Sequence, residues 1–239
     1  MNHLIAGLGD VGRGLYEIFK EAGMDVTAID KNSNVRGNFK IMHICFPFSN
    51  SFVEWVLDYA EEYSPKLTIV HSTVQPGTTT SLSQVIKAVH SPIRGRHPSM
   101  IRDIKTYVKY FGGEHSEEAA KIFQDIGIKT KCFPKPETTE LGKLLSNIRW
   151  GLNIAFAQEQ KRMCEFYNIK YEEVVNDFEH TRNDGLKQLA RDNAIMPILF
   201  PGYIGGHCVL PNVEILMATY PSEFLKAITE SNERYGKKL

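Results

Sequence analysis

The sequence predicts an α/β fold: an N-terminal Rossmann-like parallel sheet with helices on its faces, then an all-helical region built on one long helix. Three observations predict it. Over the first 136 residues, short apolar runs alternate with amphipathic helical patterns, the signature of β-strands joined by helical crossovers. A glycine cluster, Gly7-Leu8-Gly9-Asp10-Val11-Gly12, separates the first run from the first amphipathic stretch. Beyond Pro136 a proline-free helical pattern runs from Thr138 to about Tyr167.

The elements follow in order. His3 to Ala6 reads as a buried strand, Val11 to Ala22 as an amphipathic helix and Asp25 to Ile29 as the second strand. Strands are also expected at Lys40 to Phe46, Leu67 to His71, Lys87 to His90, Tyr107 to Phe111 and Lys129 to Phe133. Helices are expected at Ser51 to Tyr63, Thr79 to Ile86 behind Pro76-Gly77, and Glu117 to Ile126. Too few residues separate Ile29 from Lys40 for a crossover helix, so the sheet is expected to be trimmed there. In the long helix, Leu141, Leu144, Leu145, Ile148, Leu152, Phe156 and Met163 spread beyond one narrow face. Such a helix is expected to be buried in a bundle or against a second copy, hence a homodimer. Shorter helices are expected at Tyr171 to Phe178, Gly185 to Arg191, Asn212 to Thr219 and Ser222 to about Arg234. The domain expectation is 1–136 and 137–239.

Composition narrows the function. The chain has 239 residues, enough for one large domain or two modest ones. Lys+Arg and Asp+Glu number 28 each, so no net field favours nucleic acid or an anionic membrane. No apolar run approaches the roughly 20 residues of a membrane span. The first strand runs straight into a glycine turn, which argues against a signal peptide. Cys45, Cys132, Cys164 and Cys208 are scattered with no CxxC pair, against a zinc site or a secreted disulfide scaffold. The expectation is a reduced, cytoplasmic protein with no metal.

The glycine cluster is a GxGxxG, weak alone, but here it follows a strand and opens a helix. Asp30 ends the next strand, which completes the dinucleotide context. Gly7 makes the turn, Gly9 lets a pyrophosphate approach the helix N-terminus beside Asp10 and Val11, and Gly12 allows close helix–strand packing. Asp30 would accept the adenosine ribose hydroxyls and repel a 2′-phosphate, favouring NAD over NADP. The bland alternative is a turn cluster with an incidental aspartate.

Two features of the helical half carry chemistry. Lys143 and Asn147 stand four apart and share a helix face, where an amine and an amide could hold a substrate oxygen and stabilise charge on it. Taken alone, an exposed lysine with a polar neighbour reads as surface. Cys208 follows Gly205, Gly206 and His207 in a loop entering a helix. A thiol beside a helix N-terminus and a histidine can act as a nucleophile. A small buried hydrophobe is the ordinary reading of such a cysteine.

Taken together these residues resemble the UDP-glucose/GDP-mannose dehydrogenase family. The resemblance runs through the glycine fingerprint, Cys45-Phe46-Pro47 and His71-Ser72-Thr73-Val74-Gln75-Pro76-Gly77-Thr78-Thr79. It continues through Ser91-Pro92, Phe111-Gly112-Gly113, Glu140 to Asn147 with Lys-x-x-x-Asn, and Pro201 to Cys208 ending in Gly-Gly-His-Cys. It implies NAD-dependent oxidation of a sugar C6 alcohol to a carboxylate in two hydride transfers, the substrate being a sugar or sugar nucleotide. By resemblance Cys208 is the nucleophile, Lys143 and Asn147 stabilise oxyanions, and Thr73 lies beside the nicotinamide. Pro47 and Ser72 belong to the cofactor side. Gly205, Gly206, His207 and Asn212 are candidates for the substrate, and so, from its clustering with Arg96 and His97 beyond Pro92, is Arg94, for which a solvated loop is the ordinary reading.

The chain departs from the family at Ile93 and Asn212, where acids are usual, and at His71, where an acid is frequent before Ser-Thr. It is also expected to lack the family's third, nucleotide-binding domain. Two other readings stay open: a single-step hydroxyacid dehydrogenase with Lys143 as acid/base, and a non-catalytic NAD-binding dimer whose site has decayed.

Overall fold

A computed structural model describes residues 1–31, 33, 35–96, 98–206 and 208–236. The chain forms two compact units, 1–144 and 145–239.

The first unit is a seven-stranded sheet among the described residues, in the order β2-β1-β3-β4-β5-β6-β7. Its strands are β1 (Asn2–Ala6), β2 (Asp25–Ile29), β3 (Ile41–Ile44), β4 (Leu67–Val70), β5 (Ala88–His90), β6 (Lys109–Gly112) and β7 (Thr130–Phe133). Its helices are α1 (Asp10–Glu21), α2 (Phe52–Tyr63), α3 (Thr78–Leu82), α4 (Met100–Thr106) and α5 (Ser116–Gln124). Strand alternation sorts the core into two layers. Ile5, Ile69 and Val89 join Leu15, Ile18 and Phe19 of α1 and Phe123 of α5 on one face. Leu4, Ala6 and Val70 join Phe52, Val56 and Tyr63 of α2 on the other. Phe19 and Phe123 are fully buried, so truncating either to Ala should cost about 3–5 kcal/mol.

β2 is one edge of the sheet, and residues 30–40 hold no helix among the described residues, as their shortness predicts. Other elements differ from expectation. The sheet is not wholly parallel: β6 runs against β5, with His90 opposite Gly112. A parallel step needs a crossover that returns the chain along the sheet. The intervening helix, α4, was not expected; it packs on α1 instead, with Met100 and Ile104 close to Gly14. β6 therefore sets off from the C-terminal rim. α3 is also shorter than its sequence suggests, ending at Leu82.

α6 (Pro136–Phe166) starts two residues earlier than expected, because proline is well suited to a first helical position. In the second unit a π-helical segment, Glu172–Asp177, continues directly into α7 (Phe178–Gln188). The sequence reading placed a gap at 179–184, where the charged and polar residues give no apolar stripe. α8 (Val209–Met217) begins three residues before Asn212, with Pro211 accommodated in its first turn. α9 (Glu223–Gly236) closes the described chain.

A buried amide network organises this unit. Gln158 of α6 donates to Gly202 O at 2.7 Å and to Asn232 Oδ1 at 3.2 Å, and accepts from Ser231 at 2.8 Å. Asn232 in turn accepts from Ile204 N at 2.7 Å and donates to Ile204 O at 3.1 Å. The loop before Cys208 is thus tied to two helices. At Gly151, a Cβ would stand 2.4 Å from Val209 Cγ1, so α8 approaches the middle of α6 only because no side chain intervenes there.

The expectation that α6 hides its apolar rows is met in part. Leu144 and Ile148 are buried, but Trp150 is 60% and Phe156 55% exposed.

Candidate functional site

The first unit gathers the cofactor candidates at the C-terminal ends of β1–β4. Gly7 has φ +100° and donates its N–H to Ile29 O at 2.9 Å, joining the β1 exit to β2. A Cβ on Gly7 would lie 2.8 Å from Phe46 N, and one on Gly12 only 1.8 Å from Gly7 O. Gly9 caps α1, and nothing stands within 4 Å of where its Cβ would be. Two glycines are therefore needed for packing and the third faces open space. That is the cradle a pyrophosphate requires at a helix N-terminus.

Asp10 is exposed and Val11 half-buried in the first turn of α1. Asp30 is exposed beyond β2. Its Oδ1 accepts from Lys31 N at 2.9 Å and its own N–H donates to Ser33 Oγ at 2.9 Å, so its loop holds the carboxylate in place. Pro47 is exposed past β3, and the buried Ser72 donates to Phe46 O at 2.6 Å, clamping that segment to the β4 exit. Thr73, next in line, is half-buried.

Sequence reasoning did not single out the groups that hold this rim. Glu140, fully buried on α6, accepts from Gly77 N at 2.7 Å and Thr79 N at 2.8 Å. Burial raises its pKa despite those two donors. His90 lies 3.1 Å from Ser72 O through Nε2 and 2.7 Å from Thr139 Oγ1 through Nδ1. Burial pushes it down to about 3, so it stays neutral. Lys109 of β6 is also buried and is pushed down to about 7, by burial first, with the charge of Lys143 adding to the effect. The available signal was the presence of these polar residues inside apolar runs.

Lys143 is half-buried, and its charge acts on both His90 and Lys109. Asn147, also half-buried, stands one turn further along α6. Ile93 is buried in the sheet core, where a carboxylate would need a partner. Arg94 is exposed, its guanidinium 5.1 Å from the Tyr107 ring centroid and 5.4 Å from that of Tyr110.

In the second unit Cys208 is exposed and caps α8. Gly205 and Gly206 before it are exposed, with Gly206 at φ +77°. His207 lies outside the described residues. Asn212 is buried, and its Nδ2 has no hydrogen-bond partner among the described residues. No cluster of metal-ligating side chains occurs among the described residues.

A glycine turn opening a helix on a Rossmann-like sheet, followed by helices presenting an exposed cysteine, is an arrangement shared in fold with solved dehydrogenases. Residues 137–234 match the model of the UDP-glucose/GDP-mannose dehydrogenase family, central domain. A UDP-N-acetyl-D-mannosamine dehydrogenase of Methanocaldococcus jannaschii is 26% identical over 225 residues, 80% of this chain and 49% of the relative. A solved UDP-D-ManNAc dehydrogenase from Pyrococcus horikoshii superposes with a TM-score of 0.83 at 18% identity, covering 100% of this chain and 69% of that one. A 3-hydroxyisobutyrate dehydrogenase from Mycobacterium tuberculosis shares the fold more loosely, with a TM-score of 0.67 at 13% identity, over 99% of this chain and 93% of that one. The helical part of the chain thus matches the central domain of that family, and the chain as a whole is similar in sequence and fold to its nucleotide-sugar dehydrogenases. It spans about half the length of the curated relatives it matches.

Proposed function

We propose that the chain is an NAD-dependent oxidoreductase that oxidises a sugar alcohol, most economically that of a sugar nucleotide, through a covalent intermediate on Cys208. The exposed thiol at the head of α8 is the observation that carries this reading over a simple hydroxyacid dehydrogenase, which needs no cysteine. Gly7, Gly9, Gly12 and Asp30 would hold NAD, which would supply the hydride acceptor. The rest is done by side chains. Lys143 and Asn147 hold the substrate oxygen, and the carbinol carbon gives up a hydride while its hydroxyl loses a proton, leaving an aldehyde. The Cys208 thiolate adds to that carbonyl, and the resulting thiohemiacetal oxygen is stabilised by the same amine and amide. Loss of a second hydride, for which a second NAD would be the oxidant, gives a thioester, which water cleaves to the carboxylate and free thiol. With Ile93 and Asn212 in place of carboxylates, that hydrolysis lacks general-base help, worth about 10²–10⁴-fold.

The apolar side chains left exposed along α6, among them Trp150 and Phe156, support a homodimer as the working form.

The test is NADH yield across a panel of nucleotide sugars and hydroxy acids. Two NADH per substrate are expected, with a fast burst, a slow steady rate and the substrate mass attached at Cys208. Cys208→Ser should abolish the adduct and leave NAD binding intact. A Cys208→Ser variant that turns over at the native rate gives the hydroxyacid reading its place, with one NADH per substrate. Calorimetry should show NADP at least about tenfold weaker than NAD, a difference of 1.4 kcal/mol, through Asp30.

A further inference from the structure

Three histidines climb diagonally across the first unit's sheet on its α1 face. His3 on β1 aligns with Ile41, so His43 stands two residues further along β3. His43 in turn aligns with Ile69, and His71 stands two residues further, just beyond β4. His3 Nδ1 lies 3.0 Å from His43 Nε2, and His43 Nδ1 lies 3.0 Å from His71 Nε2. The rings of His43 and His71 are within 7° of parallel. Phe19 and Phe123 wall the chain, and all three imidazoles are buried. At the top, His71 Nδ1 is 2.7 Å from Ser91 O and 3.3 Å from Lys109 Nζ, which itself donates to Ser91 O at 3.1 Å. At the bottom, His3 Nε2 has no hydrogen-bond partner among the described residues.

A neutral imidazole has one donor and one acceptor, so such a chain has only two self-consistent arrangements. Ser91 O can only accept. When it ends the chain, His71 donates from Nδ1 and accepts at Nε2 from His43. His43 accepts in turn from His3, and a lone pair remains on His3 Nε2. When an ammonium on Lys109 donates to His71 Nδ1 instead, every ring reverses and each carries its proton on Nε2. We propose that His3, His43 and His71 form a proton relay, in which a solvent proton that reaches His3 Nε2 when the edge of the sheet opens locally releases another from His71 Nδ1 to the Lys109 amine. The His3 and His43 protons each cross one hydrogen bond, and the His71 proton leaves Ser91 O for the amine 3.3 Å away. The imidazoles begin and end neutral, and the amine becomes an ammonium. The relay thereby links the N-terminal half of β1 to the C-terminal rim of β4.

The neighbouring charges fit this use. Lys109 faces Cys45, which burial pushes up to about 12 and so keeps neutral, the Lys143 ammonium, and the faces of Phe111 and Phe123. Its titration near pH 7 puts both arrangements within reach at neutral pH. The Met1 amine and Asp25 are the charges acting on His3, which burial first and that amine second push down to about 4. His43 and His71 are held well below 6.5 by burial, so none of the three needs to become an imidazolium at neutral pH.

The experiment is imidazole ¹⁵N NMR on the full chain, followed through the Lys109 titration. Above it all three rings should carry the proton on Nδ1, and below it all three should remain neutral with the proton on Nε2, with a single shared midpoint. Lys109→Met should lock the Nδ1 form at every pH. His43→Phe should leave His71 switching while His3 no longer follows. Should His3 keep one tautomer while His71 switches in the native chain, or should no ring switch, the chain is a fixed structural ladder and the relay is overturned. The native spectrum decides this even if a variant fails to fold.

Discussion

The two units solve the burial problem differently. The sheet unit hides its bulk: Phe19, Phe52, Tyr63, Phe111 and Phe123 are almost wholly buried between sheet and helices. The helical unit leaves Trp150, Phe156, Phe166, Phe178, Phe200 and Phe224 more than half exposed. Its interior joins the amides of Gln158 and Asn232 to mostly aliphatic side chains such as Ile204, Val213 and Ile228. A mostly parallel sheet covered on both faces closes its own core, whereas a few helices around one long one leave apolar faces over. The first unit is therefore sensitive to what is added inside it, and the second to what covers it.

The sharpest way to break that contrast is at the glycine turn. Gly12→Ala would force a Cβ against Gly7 O, and overpacking of that kind costs about 1–3 kcal/mol or more. A melting curve should show a loss of several degrees. Gly9→Ala meets nothing and should leave the melting temperature within a degree or two, while weakening NAD binding at least about tenfold by calorimetry. Equal melting losses for the two would mean that Gly9 serves packing rather than a ligand.

Acid should expose the same contrast. His3, His43, His71 and His90 have folded pKa values below 6.5, so the unfolded chain binds more protons once pH falls under that value. Stability then drops with falling pH, by about 1.4 kcal/mol per unit for each histidine kept neutral. Lys109 acts in the same direction over a higher window: its folded value near 7 lies below 10.5, so stability should rise between those limits. Denaturant titrations should show the sheet unit losing stability steeply below pH 6.5, with His43→Phe flattening the slope. An acid slope unchanged by that substitution would mean that His43 is not buried neutral.

The smallest effect on folding, and the clearest on assembly, belongs to the helical unit. Trp150→Ser with Phe156→Ser should change stability little, since both side chains are exposed, yet should shift sedimentation from a dimer to one 27.1 kDa chain. A native protein that already sediments as one chain at micromolar concentration removes the proposed dimer.

Much of this was legible in the sequence where the signal is local. The β1–turn–α1–β2 unit is readable because each glycine answers a requirement of its own few residues. The long helix is readable from its uninterrupted apolar rows. Strand direction is another matter: nothing within Lys109–Gly112 says that β6 runs against β5, since that depends on where α4 leaves the chain. α7 was missed over 179–184 because its polar residues carry helical structure without an apolar stripe. The histidine chain was illegible for the same kind of reason. His3, His43 and His71 lie far apart in sequence, and only the register of three strands brings them within 3.0 Å of each other. Of the candidate site, the glycine turn lies between β1 and α1 as its motif predicts, while Glu140 and His90, which fasten that rim, act across long sequence separations.

Gly151 gives the helical unit a history as well as a shape. A glycine in mid-helix costs about 1 kcal/mol relative to alanine, so selection should replace it wherever it is free to do so. It is not free while a branched side chain at Val209 presses on that turn of α6, one residue beyond Cys208. The two positions should therefore change together through descent: a lineage that gains a side chain at 151 must trim 209 or displace the cysteine. Joint variation at these two sites would record how long the thiol's position has been under selection, separately from the identity of the thiol itself.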